Sequence, residues 1–219
     1  MNELQFLFWV RGPALQISAT LFLIGIMWRL IEIYSLRYHP NFAEPRRVPG
    51  ASGWHTLYRR FFPPEGMFEA SPITYIGGYI FHIGLAIIIF LFDPHLGLIK
   101  EFIGISWNAL PSPIIDFVTV VTLVAMVTVL ANRLKCPVKR FLSGGQEYFS
   151  WVVTFLPVLT GYLAANHLLF SYTTTLALHI LSAELLLISI PFSNLLHIFT
   201  VWPSRWFNGA VNGQRGVPV

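Results

Sequence analysis

Residues 176–200 read LALHILSAELLLISIPFSNLLHIFT, an apolar run with Glu184 as its single acidic residue and no Lys or Arg. About 20 such residues cross the hydrocarbon of a bilayer as a helix, so this stretch is predicted to be a transmembrane span. Four further runs of the same kind lie at 14–35, 72–93, 113–132 and 148–170. The reading is an all-α, polytopic bundle of five transmembrane helices, forming one integral-membrane domain over residues 1–219. Segment 36–71, with Pro40, Pro45, Pro49, Gly50, Gly53, Pro63 and Pro64, is expected to be an irregular loop.

Composition agrees. Of 219 residues, 55% are hydrophobic and only 11% charged, against roughly a quarter charged in a soluble domain, which excludes a water-soluble monomer. One cysteine, Cys136, excludes an internal disulfide, a Cys-rich zinc or iron–sulfur site and a CxxCH haem attachment. Any redox centre has to be held noncovalently. The net charge of +4 accompanies no nucleic-acid-reading motif, so no nucleic-acid partner is expected. The first run is too long for a signal-peptide core and reads as a retained helix. No Walker A, GxSxG or HExxH pattern is present, and no internal repeat suggests a repeat-built transporter.

The basic residues set the direction. Arg37, Arg46, Arg47, Arg59 and Arg60 follow the first span, Arg133, Lys135, Lys139 and Arg140 follow the third, and Arg205 and Arg215 follow the fifth. These are eleven of the fourteen Lys and Arg residues. The positive-inside rule therefore puts the N-terminus outside, and the 36–71 segment and C-terminus in the cytoplasm. The expected location is the cytoplasmic (inner) cell membrane, crossed several times.

Ionisable residues at membrane depth are costly and point to function. His82, His167, His179 and His197 all lie in apolar surroundings. On a continuous helix His179 and His197, 18 residues apart, share one face with roughly 27 Å between them. That is the arrangement by which one helix supplies an axial ligand to each of two stacked haems. His82, about ten residues into the second span, can face His197 across an inner-leaflet haem. For His179 two outer partners are open: His95, if Pro94 redirects the chain, or His167 at the end of the fourth span. Arg29 and Glu32 are spaced to pair on one helix face. Glu184 reads either as a structural hydrogen-bonder or as part of a proton path to a quinone.

At "FHIGL" around His82, and at "LHILSAELLLISIPFSNLLHIF" with its Pro-Phe-Ser between two histidines 18 residues apart, the chain resembles the cytochrome b (gamma) subunit of respiratory nitrate reductases. The likeness extends to relatives in heterodisulfide-reductase-like and sulfur-metabolism membrane complexes. It implies one or two haems b, with His82 and His197 on the cytoplasmic-side iron and His179 on the outer one. It also implies a quinone or quinol substrate and cytoplasmic-side iron–sulfur oxidoreductase subunits as partners. Such a chain is a non-autonomous, quinone-linked electron-transfer subunit. The nitrate-reductase branch carries its remaining outer ligand ten residues after the His82 position, where this chain has Phe92, and a basic residue is common where it has Asn194. Phe cannot ligate iron, so His95, the preferred candidate, or His167 has to replace it. The competing reading is a haem-free structural membrane anchor or a small transporter.

Overall fold

The computed structural model describes residues 2–36 and 44–217, and among these it is helical with no strand. Five helical segments are long and apolar enough to cross a membrane: Glu3–Ser35, Pro72–Leu91, Ser112–Lys135, Gly145–Ala165 and Tyr172–Phe192. Arg37 and Pro40, counted with the loop above, lie outside the described residues. The chain divides into two compact units, one of residues 1–19 and 71–188, the other of residues 20–70 and 189–219.

In the first unit the packing is inverted relative to a water-soluble core. Many of its buried positions are small or hydroxylated, among them Ala14, Ser18, Thr119, Thr122, Ala125, Ser150, Thr154, Ala164, Thr175, Ala177 and Ser182, beside larger apolar ones such as Leu96, Ile115, Met126 and Val153. Large apolar side chains such as Phe8, Phe117 and Val124 point outward. In lipid, tails are as apolar as leucine, so helices associate through small residues that let backbones approach. α5 (Pro72–Leu91) and α7 (Ser112–Lys135) pack this way. A side chain at Gly77 would strike Val129, and one at Gly84 would strike Thr122. Three of the buried hydroxyls bond one turn back along their own helix, Thr119 on Ile115 O at 2.7 Å, Thr122 on Val118 O at 2.7 Å and Thr154 on Ser150 O at 2.7 Å. The hydroxyls of these three threonines therefore do not face hydrocarbon unbonded, whereas the buried Ser150 Oγ has no partner.

The first span begins earlier than composition indicated. α1 (Glu3–Trp9), capped by Asn2 and Gln5, runs through a π-helical turn at Val10–Ala14 into α2 (Leu15–Ser35). Pro13 lies inside that turn. Proline lacks the N–H and crowds the carbonyl four residues back, and the wider turn takes up the misfit.

In the second unit two expectations are corrected. The fifth span does not continue to residue 200. α10 (Tyr172–Ser189) gives way to a 3₁₀ turn at Ile190–Phe192, an extended Ser193 and a second 3₁₀ turn at Asn194–Leu196, before α11 (His197–Arg215). Pro191 breaks the helix, and the Ser193 side chain caps the restart by accepting from Leu195 N at 3.3 Å. His179 and His197 are therefore on different helices, and the single-face spacing derived for one straight helix does not apply. The break is held by α2. Gly25 leaves room for the Pro191 ring, and Arg29 Nε donates to Pro191 O at 3.0 Å while its Nη1 pairs with Glu32 at 2.6 Å.

The 36–71 segment is likewise not irregular throughout, since Pro49–Arg59 forms helix α3 and Met67–Ala70 a short helix α4. Its glycine and serine content, unfavourable in an isolated helix, is what lets α3 lie on α11. A Cβ on Gly209 would meet Thr56 at 2.5 Å, one on Gly213 would strike Ser52, and one on Gly53 would meet Trp206 at 2.8 Å. Tertiary packing overrides local propensity there.

Candidate functional site

α5 ends at Leu91 and the chain turns through an extended Phe92 into α6 (Asp93–Ile103), with Pro94 in its first turn. A helix end leaves four carbonyls without partners. Here Leu110 N–H donates to Leu91 O at 2.8 Å, Trp107 Nε1 to Phe90 O at 2.7 Å, and His95 Nδ1 to Ile88 O at 2.9 Å. His95 thus belongs to the helix after the second span, and the Phe92–Pro94 turn folds its ring back over the end of α5. Phe92 packs edge-on against that ring at 5.4 Å.

His179 is on α10, facing α9 (Gly145–Ala165). Its Nδ1 donates to Pro157 O at 3.0 Å and lies 3.4 Å from Thr160 Oγ1. Gly161 makes the approach feasible, because a Cβ there would stand 3.0 Å from Cε1 and 3.1 Å from Nδ1 of the imidazole. Pro157 and Gly161, one turn apart, are the positioning residues for His179. The rings of His95 and His179 lie 6.1 Å apart, centre to centre, with planes inclined by 24°.

His167 is placed elsewhere. It follows the end of α9 in the left-handed region, φ 54°, exposed, with its ring 4.9 Å from Tyr172. His82 bonds through Nδ1 to Gly78 O at 2.7 Å, and at 100° per residue it stands on the side of α5 away from Gly77 and Gly84 and hence from α7. In the second unit His197 opens α11, with Nδ1 on Asn194 O at 2.7 Å.

His82, His95, His179 and His197 therefore share one chemistry. Each places its Nδ1 proton on a backbone carbonyl, which puts the imidazole lone pair on Nε2. That is the tautomer and the outer-shell bond found in metal-ligating histidines. The structure brings the rings of His95 and His179 together at one place in the first unit. Among the described residues no three His, Cys, Asp or Glu side chains converge as a free ion requires.

Glu184, one turn and a little beyond His179, is buried with both carboxyl oxygens unbonded; the structural hydrogen-bonder reading does not hold in this structure. Two features were missed at the sequence level. The Pro157–Thr160–Gly161 group gave a signal, since Pro and Gly at i and i+4 inside an apolar run mark a kinked, close-packed helix. The approach of Trp9 to α10 gave none, because Trp9 lies before the apolar run that begins at residue 14.

No family model matches the chain. It is similar to a protein of Nitratidesulfovibrio vulgaris (strain Hildenborough), 29% identical over 204 residues that cover 89% of this chain and 88% of the relative. That relative bears the name "Protein", which says nothing of an activity.

Proposed function

We propose that the chain is the haem b-containing membrane subunit of a respiratory oxidoreductase, passing electrons between membrane quinone or quinol and an iron–sulfur partner on the cytoplasmic side. The observation that carries this reading is the His95–His179 pair. The pair stands at 6.1 Å, and both Nδ1 protons are already committed to carbonyls. If a haem b is bound here, His95 and His179 would hold its iron through Nε2, and it would supply one-electron chemistry. The residues here set the tautomer and orientation of each imidazole.

In this reading His95 takes the role that Phe92 cannot fill. The assignment of His82 and His197 to a cytoplasmic-side haem rests on the sequence resemblance, together with the same Nδ1 arrangement found separately in each. The basic segments 36–71 and 132–146 and the C-terminal tail are the candidate contacts for an acidic iron–sulfur partner, through charge complementarity. Orientation with the N-terminus outside, in the cytoplasmic membrane, follows from the same charges.

The test is spectral. His95→Ala or His179→Ala should remove one b-type signal or convert it to high spin, and His167→Ala should leave it unchanged. Loss on His167→Ala with retention on His95→Ala transfers the ligand role and removes the support drawn from the 6.1 Å pair.

A further inference from the structure

Helix α3 (Pro49–Arg59) carries three kinds of residue on three sectors of its surface, taken at 100° per residue. Ser52, Gly53 and Thr56 form the sector pressed on α11, where Gly209 and Gly213 admit them. His55 and Arg59 form a polar sector. Trp54, Leu57 and Tyr58 form the third, which is apolar. A helix of a water-soluble protein turns its apolar stripe to the core and its polar face outward. Here the small sector is the one that packs, and the aromatic one is left outside.

The exposure is large. Trp54 is 67% accessible, Tyr58 69% and Phe62, just past the helix end, 61%. Tyr58 and Phe62 stand edge to face at 5.9 Å, and Phe61 lies 5.3 Å from Trp202 of α11, itself 49% accessible. The rings therefore form one patch along an edge of the α3–α11 pair. Contiguous apolar surface of this kind marks an interaction site. Arg59 and Arg60 adjoin it in sequence, and among the described residues neither pairs with a carboxylate.

What covers the patch follows from where it starts. Phe199, in the first turn of α11, packs against Phe22 of α2 with ring centres 6.1 Å apart. The continuous helix Glu3–Ser35 has 33 residues, whereas about 20 cross the hydrocarbon. Any run of about 20 residues taken from that helix includes Phe22. The start of α11 thus lies against helix at bilayer level, and Trp202 follows Phe199 by less than one turn. Tryptophan and tyrosine beside arginine are the side chains that settle at a membrane interface. At 11 residues α3 is too short to cross, which leaves it lying along the surface.

We propose that the edge of the α3–α11 pair bearing Trp54, Tyr58, Phe62 and Trp202 is embedded in the membrane leaflet on the side where α2 ends, with Arg59 and Arg60 on anionic phospholipid headgroups. Residues 49–62 are then a membrane-lying element and not a loop in water. Ser204 and Asn208, exposed on the side of α11 turned from α3, stay in water. The inference goes beyond the electron-transfer reading and does not depend on haem.

The experiment uses the full chain in nanodiscs of phosphatidylcholine, with or without phosphatidylglycerol. In a Cys136→Ser background, nitroxides are attached at Tyr58→Cys and, as the control, at Ser204→Cys. Dissolved oxygen, which concentrates in lipid, should relax the Tyr58 label more than a water-soluble nickel chelate does, and the Ser204 label should show the reverse. Phosphatidylglycerol should shift the Tyr58 label deeper, and Arg59→Gln with Arg60→Gln should abolish that shift. In the unlabelled chain, dibrominated phosphatidylcholine should quench tryptophan emission, and Trp54→Phe should remove part of the quenched component. A Tyr58 label that the nickel chelate reaches as readily as the Ser204 label overturns the proposal. Protection of that label from both agents points to a protein cover and overturns it as well, as does a depth indifferent to phosphatidylglycerol or quenching that Trp54→Phe leaves intact.

Discussion

Gly161→Ala is the smallest change that reaches the proposed haem pair without touching a ligand. The new methyl carbon would stand 3.0 Å from His179 Cε1 and 3.1 Å from Nδ1, where ordinary contact begins at 3.4 Å. The imidazole has to retreat by about 0.4 Å, the difference between those distances. Taken along its bond to Pro157 O, now 3.0 Å, that shift stretches the hydrogen bond to roughly 3.4 Å, beyond the usual limit of about 3.2 Å. Loss of such a bond costs about 0.5–1.5 kcal/mol. Disturbing the outer shell of a metal-bound histidine typically lowers metal affinity by about 10- to 100-fold. Haem retention measured against a competing apo-haemoprotein, with the low-spin spectrum recorded in parallel, reads this directly. Gly161→Ala should release one of the haems at least about tenfold more readily and leave the other in place. Wild-type retention and an unshifted spectrum would refute the argument that Gly161 admits His179 to the site.

The remaining predictions concern the scaffold and its direction in the membrane. Gly84→Ala sets a methyl against Thr122 and should destabilise the α5–α7 pair by about 1–3 kcal/mol, as overpacking does; thermal unfolding in detergent measures it, and Thr122→Ala in the same chain should recover most of the loss. Gly213→Leu would collide with Ser52 and part α3 from α11, so limited proteolysis should cut the 44–70 segment faster than in wild type, and an unchanged rate would contradict the packing. Cys136, half-buried between the third and fourth spans, should resist a membrane-impermeant thiol reagent in intact cells and react once the membrane is permeabilised; labelling of intact cells would reverse the assigned orientation.

Five apolar runs were legible in the sequence because spanning a bilayer forces long stretches of one composition. Local reading failed where a tertiary contact decides. α3 forms from glycine-rich sequence because Gly209 and Gly213 accept it, and nothing within residues 49–59 says so. Pro191 was read as a motif and not as a helix break, so His179 and His197 were placed on one helix. His95 could be named as a candidate but not placed, because its position depends on the extended Phe92 and on carbonyls of α5 that only the folded turn brings within reach. Glu184 stood out as a charge in an apolar run, whereas its burial shows only in the folded chain.

The central claim, that the chain binds b-type haem, is tested most directly by a pyridine haemochrome assay on the protein purified from haem-sufficient cells, with a reduced-minus-oxidised spectrum. The prediction is two haems b per chain in wild type, with one low-spin b-type signal lost in His95→Ala and both kept in His167→Ala. A wild-type chain that is folded, inserted in the membrane and free of haem would contradict it, and would favour the haem-free membrane anchor or small transporter.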